Sequence, residues 1–536
     1  MPANQYDAIV IGGGHNGLIA AAYLAKYGAR VVVLEARHKT GGATDTMAPW
    51  PEAPELKVAT LSYVISLMPP QIIKDLELAK HGYKIFPQGH GYLPLPDGRS
   101  IVEDRGPKQH ETVSQFSKND AEALPKYFEW IGRIADIMHP ILMETPPKLG
   151  SSKPGDLLDQ LKFILRLRKN LGVREVADIT KLFSMSAADL LREWFESDVL
   201  IGLIAAPGVL GAWGGPEMPG TAYVLMHLSV GSTDEGGVVS TWGYPEGGMG
   251  AVADACRRSA ESYAAEIRVN APVEQIIIRE EHAVGVALAD GEELRAPVIV
   301  TTCHPKISFE RQIDPEQLPD EFVNDIKHWK SRSGMVKINL AVDRLPDFTA
   351  NPGFDPDIHG GEITIVDGLE QLETAFQDAR TRKASTRPFA DVCIPSVFDK
   401  TLAPEGKHIV SMCSQWVPAE WADEDHTPEL DAYADRLFDR VEAAAPGFKD
   451  SILHKQILGP REMQQEWNLI GGSVYHGELS IDQLFHMRPA PGYADYRTPI
   501  KGLYQASSAT HAGGGVTGMP GHHVVQAIRK DRALKR

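Results

Sequence analysis

Cysteine is scarce in this chain: four in 536 residues, at Cys256, Cys303, Cys393 and Cys413, with no CxxC or CxxxxC pair. That spacing excludes a redox-active dithiol and any cysteine-rich zinc site, and it points to a reducing compartment. Metal-ligand spacing is missing too. The 19 histidines contain no HExxH, and the neighbours His522 and His523 would point in different directions from one helix. Cations are outnumbered, 54 Lys and Arg against 71 Asp and Glu, for a formal charge of −17. This balance opposes non-specific binding to nucleic acid. The basic end from Arg529 to Arg536 reads as a solvated helix terminus, where cations suit the dipole. No secretory signal precedes the first apolar run near Tyr6. The uncharged run from Val199 to Pro216 holds five glycines and two prolines, and Pro207-Gly208 would break a membrane helix in its middle. It reads instead as a buried helix end followed by a pocket-lining loop. A cytoplasmic protein is expected.

What is present begins at the N-terminus. The length requires two or more lobes, and 43% hydrophobic with 23% charged residues is ordinary for a globular protein. Tyr6 to Ile11 suits a buried parallel strand. Gly12, Gly14 and Gly17 then give the G-x-G-x-x-G spacing, a helix from Leu18 to Tyr27 capped at Gly28 follows, and Arg30 to Glu35 forms a second strand. Gly12 allows the tight turn, Gly14 lets a pyrophosphate reach the backbone, and Gly17 lets helix and strand pack closely. The helix N-terminus offers N–H groups to phosphates. Glu35, ending the second strand, can accept both ribose hydroxyls and would repel a 2′-phosphate, which makes NADP an unsuitable occupant. Ala36-Arg37 and, after three more residues, Gly41-Gly42-Ala43 continue the motif.

Beyond residue 60 the pattern lapses into long helical and irregular segments, as an inserted substrate lobe would. Between Asp156 and Leu171 one helical face carries Leu157, Leu158, Leu161, Ile164, Leu165 and Leu171, with Lys162, Arg166 and Lys169 on the other. Such a face is expected to cover a core; weak contact with a membrane surface is the alternative. The glycine turn at Tyr244 to Met249 opens a helix through Ala260. A meander of Glu266–Val269, Val273–Ile278 and Ala283–Leu288 precedes a buried strand at 298–302. The Gly247 to Gly250 segment lacks a preceding strand and a downstream acid, so no second dinucleotide site, and no NAD(P)H site, is expected.

The chain closes with a strand up to Ala506, the segment Ser507-Ser508-Ala509-Thr510-His511-Ala512-Gly513-Gly514-Gly515-Val516, and a helix from Gly518 to Lys530. Together with Gly14-His15-Asn16-Gly17-Leu18, Asp75 to Leu78, Gly471 to Gly477 and Asp482-Gln483-Leu484, this segment resembles the phytoene desaturase-related flavoproteins of the amine oxidase superfamily. Within them it is most similar to the branch named pyridine nucleotide-disulfide oxidoreductase domain-containing protein 2. The resemblance spans nearly the whole chain. It implies an α/β protein: a Rossmann-like FAD-binding domain with an inserted β-meander (1–60, 235–310 and 490–536) and an α+β substrate-binding lobe (61–234 and 311–489). It implies FAD, held by Gly12, Gly14, Asn16, Gly17, Glu35, Ala36, Arg37, Gly41, Gly42, Ala43, Val273, Ser508, Gly514, Gly515 and Val516. Val273 would meet the adenine through its backbone. The closing helix N-terminus would face the flavin C2 carbonyl, with the glycines keeping side chains off the ring.

FAD takes a hydride equivalent at N5, and the protein must orient the substrate and manage one proton. Histidine suits the proton. His511 and His476 are the catalytic candidates; Arg488 is expected to brace the lobes and His15 to pack near the cofactor. No metal is expected. The leading reading is an FAD-dependent dehydrogenase or desaturase acting on a small apolar or amphipathic organic molecule. A redox-neutral flavin isomerase is one alternative. A non-enzymatic scaffold is another, suggested by Ser507, Ala509 and Ala512, which stand where such proteins usually carry glycine, glycine and proline.

Overall fold

In the computed structural model, which describes residues 5–142, 144–230 and 242–534, the opening run supplies the central strand of a parallel sheet. The five strands lie in the order Leu503–Gln505, Val298–Thr301, Ala8–Ile11, Val31–Leu34, Glu266–Arg268. Ala8 pairs with both Val298 and Val31, so this strand is covered on both edges and both faces and needs an unbroken apolar sequence. The first helix, His15–Lys26, is buried along every residue but Lys26. It starts three residues before Leu18, because the phosphate turn itself forms its first turn: the Leu18 N–H donates to the Gly14 carbonyl at 3.0 Å. Gly28, at φ +88, ends it.

The meander is real but displaced by one strand. Glu266–Arg268 does not join it; Val32 pairs in parallel with Glu266, which makes this segment the sheet edge. The three antiparallel strands are Val273–Arg279, His282–Leu288 and Glu293–Arg295, with the last turn at Asp290-Gly291. Periodicity identified extended segments, but which neighbour each one pairs with is a tertiary choice.

A second, seven-stranded sheet forms the other half of the molecule, in the order Ile452–Leu458, Met335–Val342, His408–Gln415, Phe389–Cys393, Glu362–Ile365, Gly91–Pro94, Ser100–Glu103. Its pairs are antiparallel except Glu362–Ile365 with Gly91–Pro94. One face, with Val336, Ile338, Leu340, Val392 and Met412, packs in a core with Leu430, Tyr433 and Leu437 of helix Thr427–Ala444. The boundary expected at residue 235 lies outside the described residues.

One helical expectation holds and one changes. The 199–216 run is a buried helix end followed by a pocket-lining loop, as expected: helix Asp198–Val209 ends two residues after Pro207, which has no N–H to give to the helix, and Leu210 and Gly211 beyond it line a cavity. The helix Pro154–Asn170 forms as expected, but its leucine face covers no core: Leu157, Leu158, Leu161, Ile164 and Leu165 are half exposed. Phe163 and Leu167 face the protein instead, sharing a small gap with Ile137 and Ile141. Among the described residues no helix is long and apolar enough to cross a membrane.

Gly17 holds the first helix against the phosphate turn. A Cβ there would lie 2.1 Å from the Gly12 carbonyl oxygen, a backbone atom that cannot step aside. Gly17→Ala should lower stability by about 1–3 kcal/mol and raise the dissociation constant for FAD. Thermal unfolding with flavin titration checks this; unchanged values for both would contradict it.

Candidate active site

Between the two sheets lies a cavity of about 470 Å³, within the usual range for ligand sites. Twelve of the fifteen residues expected to hold the cofactor line it: Gly12, Gly14, Asn16, Glu35, Ala36, Arg37, Gly42, Ala43, Val273, Ser508, Gly515 and Val516. The other three stand behind the wall. Gly17 packs on Gly12, and the Gly41 N–H donates to the Gly13 carbonyl at 2.9 Å. Gly514 lies under the Tyr475 ring, where a Cβ would come within 2.1 Å of Cδ1. That contact by itself requires a glycine at 514.

The polar atoms of the dinucleotide end fit FAD. Glu35 is fixed at the cavity by two backbone amides: Oε2 accepts from Gly13 N at 2.7 Å and Oε1 from Arg37 N at 2.9 Å. Its remaining lone pairs are placed for ribose hydroxyls. Arg37 lies 5.1 Å from the Trp467 ring centroid and donates through Nη2 to Asp45 at 3.0 Å. Its Nη1, the Asn16 Oδ1 and the His15 Nε2 are buried without a partner among the described residues. Buried polar groups are seldom left unpaired, so three around one cavity call for a ligand that completes them, as a diphosphate and its flavin would. Ser507, Ala509 and Ala512 do not narrow the cavity. The Ser507 Oγ accepts the Ala509 N–H at 3.1 Å, and Ala512 sits at φ +67, which proline could not adopt.

The opposite wall was not legible in the sequence. Because strand side chains alternate, one face of the seven-stranded sheet is polar, and Glu362 and Asp391 of that face reach the cavity. Thr364, Asp391, Cys413 and Lys337 stand in register across four strands; Glu362, Cys393, Ser411 and Asn339 form the next row. Tyr63 donates a short hydrogen bond to Asp391 Oδ2, while Asp391 Oδ1, buried at the cavity, has no partner among the described residues. Burial pushes Asp391 up to about 6, against the pull of Tyr63 and Lys337. Burial, with the Asp391 charge beside it, raises Glu362 well above the usual carboxylate range. Burial lowers Lys337 to about 8; its ammonium donates to Asn339 Oδ1 and Ser411 Oγ and lies 5.5 Å from the Tyr63 ring centroid. A second cavity, of about 410 Å³, shares Pro207, Trp242 and Glu362 with the first.

The two histidine candidates part company. His476 lines the cavity, at φ +56, with Nδ1 buried and unpartnered among the described residues. His511 does not reach the cavity wall. It packs 5.9 Å from the Phe485 ring, and its Nε2 lies 3.4 Å from the Ile141 carbonyl. Arg488 is fully buried and acts as a brace: Nη1 donates to the Glu478 and Gln483 carbonyls, Nη2 to those of Tyr475 and Ser508. His15, His227, His476 and His511 are each held down at about 4, primarily by burial. The Arg488 charge adds to this at His227, His476 and His511. These rings are neutral at pH 7.

That neutrality has a measurable cost in acid. Unfolded histidine takes up a proton near 6.5, whereas these folded rings resist until about 4. Their share of stability is therefore complete above 6.5 and is lost as pH falls toward 4, by up to about 3 kcal/mol apiece. The raised buried carboxyls act in the opposite sense, so the test is a comparison. Tm measured from pH 7.5 to 4.5 should fall less steeply in His511→Asn than in the wild type; parallel slopes would contradict the assignment.

The chain matches the NAD(P)-binding Rossmann-like domain over residues 10–68 and flavin-containing amine oxidoreductases over residues 84–521. It is 38% identical to the rat pyridine nucleotide-disulfide oxidoreductase domain-containing protein 2, over 98% of this chain and 94% of the rat protein. It is 26% identical to one of the limonene dehydrogenase subunits of Castellaniella defragrans, over 99% of this chain and 95% of that protein. The crystal structure of an oxidoreductase from Methanosarcina mazei shares the fold, with a TM-score of 0.61 and 16% identity over 98% of this chain and 99% of that one. The disulfide in the first relative's name has no counterpart here, since all four cysteines are free thiols. FAD is the cofactor, and the chain belongs to the flavin-containing amine oxidoreductase family.

Proposed function

We propose that this protein is an FAD-dependent dehydrogenase or desaturase that takes a hydride from an apolar or amphipathic organic substrate. One observation carries the reading: the cofactor cavity continues past the dinucleotide turn along a mainly apolar wall, including Leu61, Val64, Leu210, Met335 and Trp242. It then meets a second chamber bordered by Tyr127, Phe128, Ile131, Leu203 and Leu225. Segments 61–234 and 311–489 serve as the substrate lobe, and 1–60, 235–310 and 490–536 as the flavin lobe. A relative named for limonene, a hydrocarbon, favours the same class.

Bound FAD supplies the hydride acceptor, which no side chain can provide. The apolar wall excludes water and holds the substrate by its shape. Asp391, steadied through Oδ2 by Tyr63, presents Oδ1 to the cavity and is the base we assign to the proton. His476, neutral at pH 7, offers hydrogen bonds and positions a polar atom. His511 is too far from the wall to share in the step.

Anaerobic mixing with apolar and amphipathic candidates should bleach the flavin band. Turnover only after prior flavin reduction, with no electron acceptor consumed, would instead establish a redox-neutral isomerase. The assignment of Asp391 has its own test. The rate of flavin reduction should fall as pH drops through about 6, and Asp391→Asn should slow it by about 10²–10⁴-fold and abolish that dependence. An unchanged pH profile in the variant would rule Asp391 out.

A further inference from the structure

The helix Pro154–Asn170 is mounted with its aliphatic face outward. Leu157, Leu158, Leu161, Ile164 and Leu165 are 49–58% exposed and lie along one side. The opposite side is fastened down: Phe163 and Leu167 face helix Lys118–Leu142, and Asp159 pairs with Lys530 at 2.7 Å. The apolar stripe continues onto Leu149, Val173 and Val176, all exposed. Contiguous exposed apolar surface of this kind marks an interaction site.

Charge decides what covers it. Over the stripe, residues 148–176 hold seven Lys and Arg against two Asp and one Glu, a local excess of four positive charges in a chain whose formal charge is −17. Lys148, Lys153, Lys162 and Arg168 are exposed beside the stripe. A second copy docking face to face would bring these like charges together, which opposes it. Nucleic acid would satisfy the cations but leave the leucines in water. A surface that is anionic outside and apolar beneath satisfies both.

We propose that helix Pro154–Asn170 seats the protein on an anionic lipid surface, its leucine stripe entering the boundary between headgroups and acyl chains and its flanking cations resting on lipid phosphates. The docking is peripheral and reversible, since part of its strength is screened by salt. It holds whether or not the flavin reaction is the one proposed above.

The test is co-sedimentation of the full-length, FAD-loaded protein with phosphatidylcholine vesicles, with and without phosphatidylglycerol. The wild type should pellet with the phosphatidylglycerol vesicles about 10-fold more strongly than with phosphatidylcholine alone. Leu161→Glu combined with Leu165→Glu should reduce this binding at least about 10-fold, with the flavin spectrum and Tm unchanged because both side chains are exposed. Wild-type protein that stays in the supernatant, or a double variant that pellets as well as the wild type, would overturn the proposal. A concentration-dependent dimer that the same substitutions dissolve, seen by sedimentation velocity, would replace the lipid with a second copy.

Discussion

A single buried cation holds the two halves of the site to each other. Among the described residues Arg488 pairs with no carboxylate; its guanidinium donates instead to four backbone carbonyls, at Tyr475, Glu478, Gln483 and Ser508. Tyr475 and Ser508 both line the cavity, one on the substrate side and one beside the dinucleotide turn. Burial pushes Arg488 down only to about 10, so it stays charged at neutral pH. A buried charge is costly unless it is hydrogen-bonded; these four bonds tie the loops that supply the carbonyls to one arrangement, and Nε is the guanidinium nitrogen left without a partner among the described residues. Tyr475 extends the clamp, since its hydroxyl donates to the Leu210 carbonyl at 3.2 Å and its ring covers Gly514. The end of helix Asp198–Val209 is thus tied to the same brace.

Burial, with the Arg488 charge adding to it, also sets the chemistry around the brace. It holds His227, His304, His476 and His511 below their ordinary value, so all are neutral at pH 7. His304 accepts the Lys306 N–H at Nδ1, leaving Nε2 to donate to Ser331 Oγ, a pattern that requires the neutral ring. The base we propose stands on the far wall instead, where Asp391 and Tyr63 line the cavity and Lys337 lies on the same polar face of the antiparallel sheet. The parallel sheet presents main-chain groups and a fixed glutamate to the cavity, and the antiparallel sheet presents side chains.

These two walls differ in how far they can be read from sequence. The cofactor side is local: Gly12, Gly14, Gly17 and Glu35 fall within one strand–turn–helix–strand unit, so spacing alone places them. The substrate side is assembled from strands far apart in the chain. Met-Val-Lys-Ile-Asn-Leu-Ala-Val at 335–342 alternates as a strand with one wet face would, yet every residue of it is buried. Lys337 and Asn339 belong to a buried polar network with Ser411, Gln456 and the Thr60 carbonyl, and only the pairing of distant strands shows it. Similarly, the amphipathic character of helix Pro154–Asn170 was visible, but its orientation depends on distant anchors, Ile137, Ile141 and Lys530. His511 occupies the expected place in the chain, yet its ring is buried against Phe485 and the Ile141 carbonyl and is not part of the cavity wall.

The role of Arg488 is tested most directly by replacing it and measuring FAD affinity and the flavin absorption spectrum together with Tm. Arg488→Met keeps the length of the side chain but strips four buried carbonyls of their donors, a loss on the order of 3–5 kcal/mol. The account predicts a lower Tm, weaker FAD binding and a perturbed flavin band, with partial recovery in Arg488→Lys, which restores a charge but not the planar fork. Arg488→Met protein that binds FAD with wild-type affinity, spectrum and Tm would contradict it.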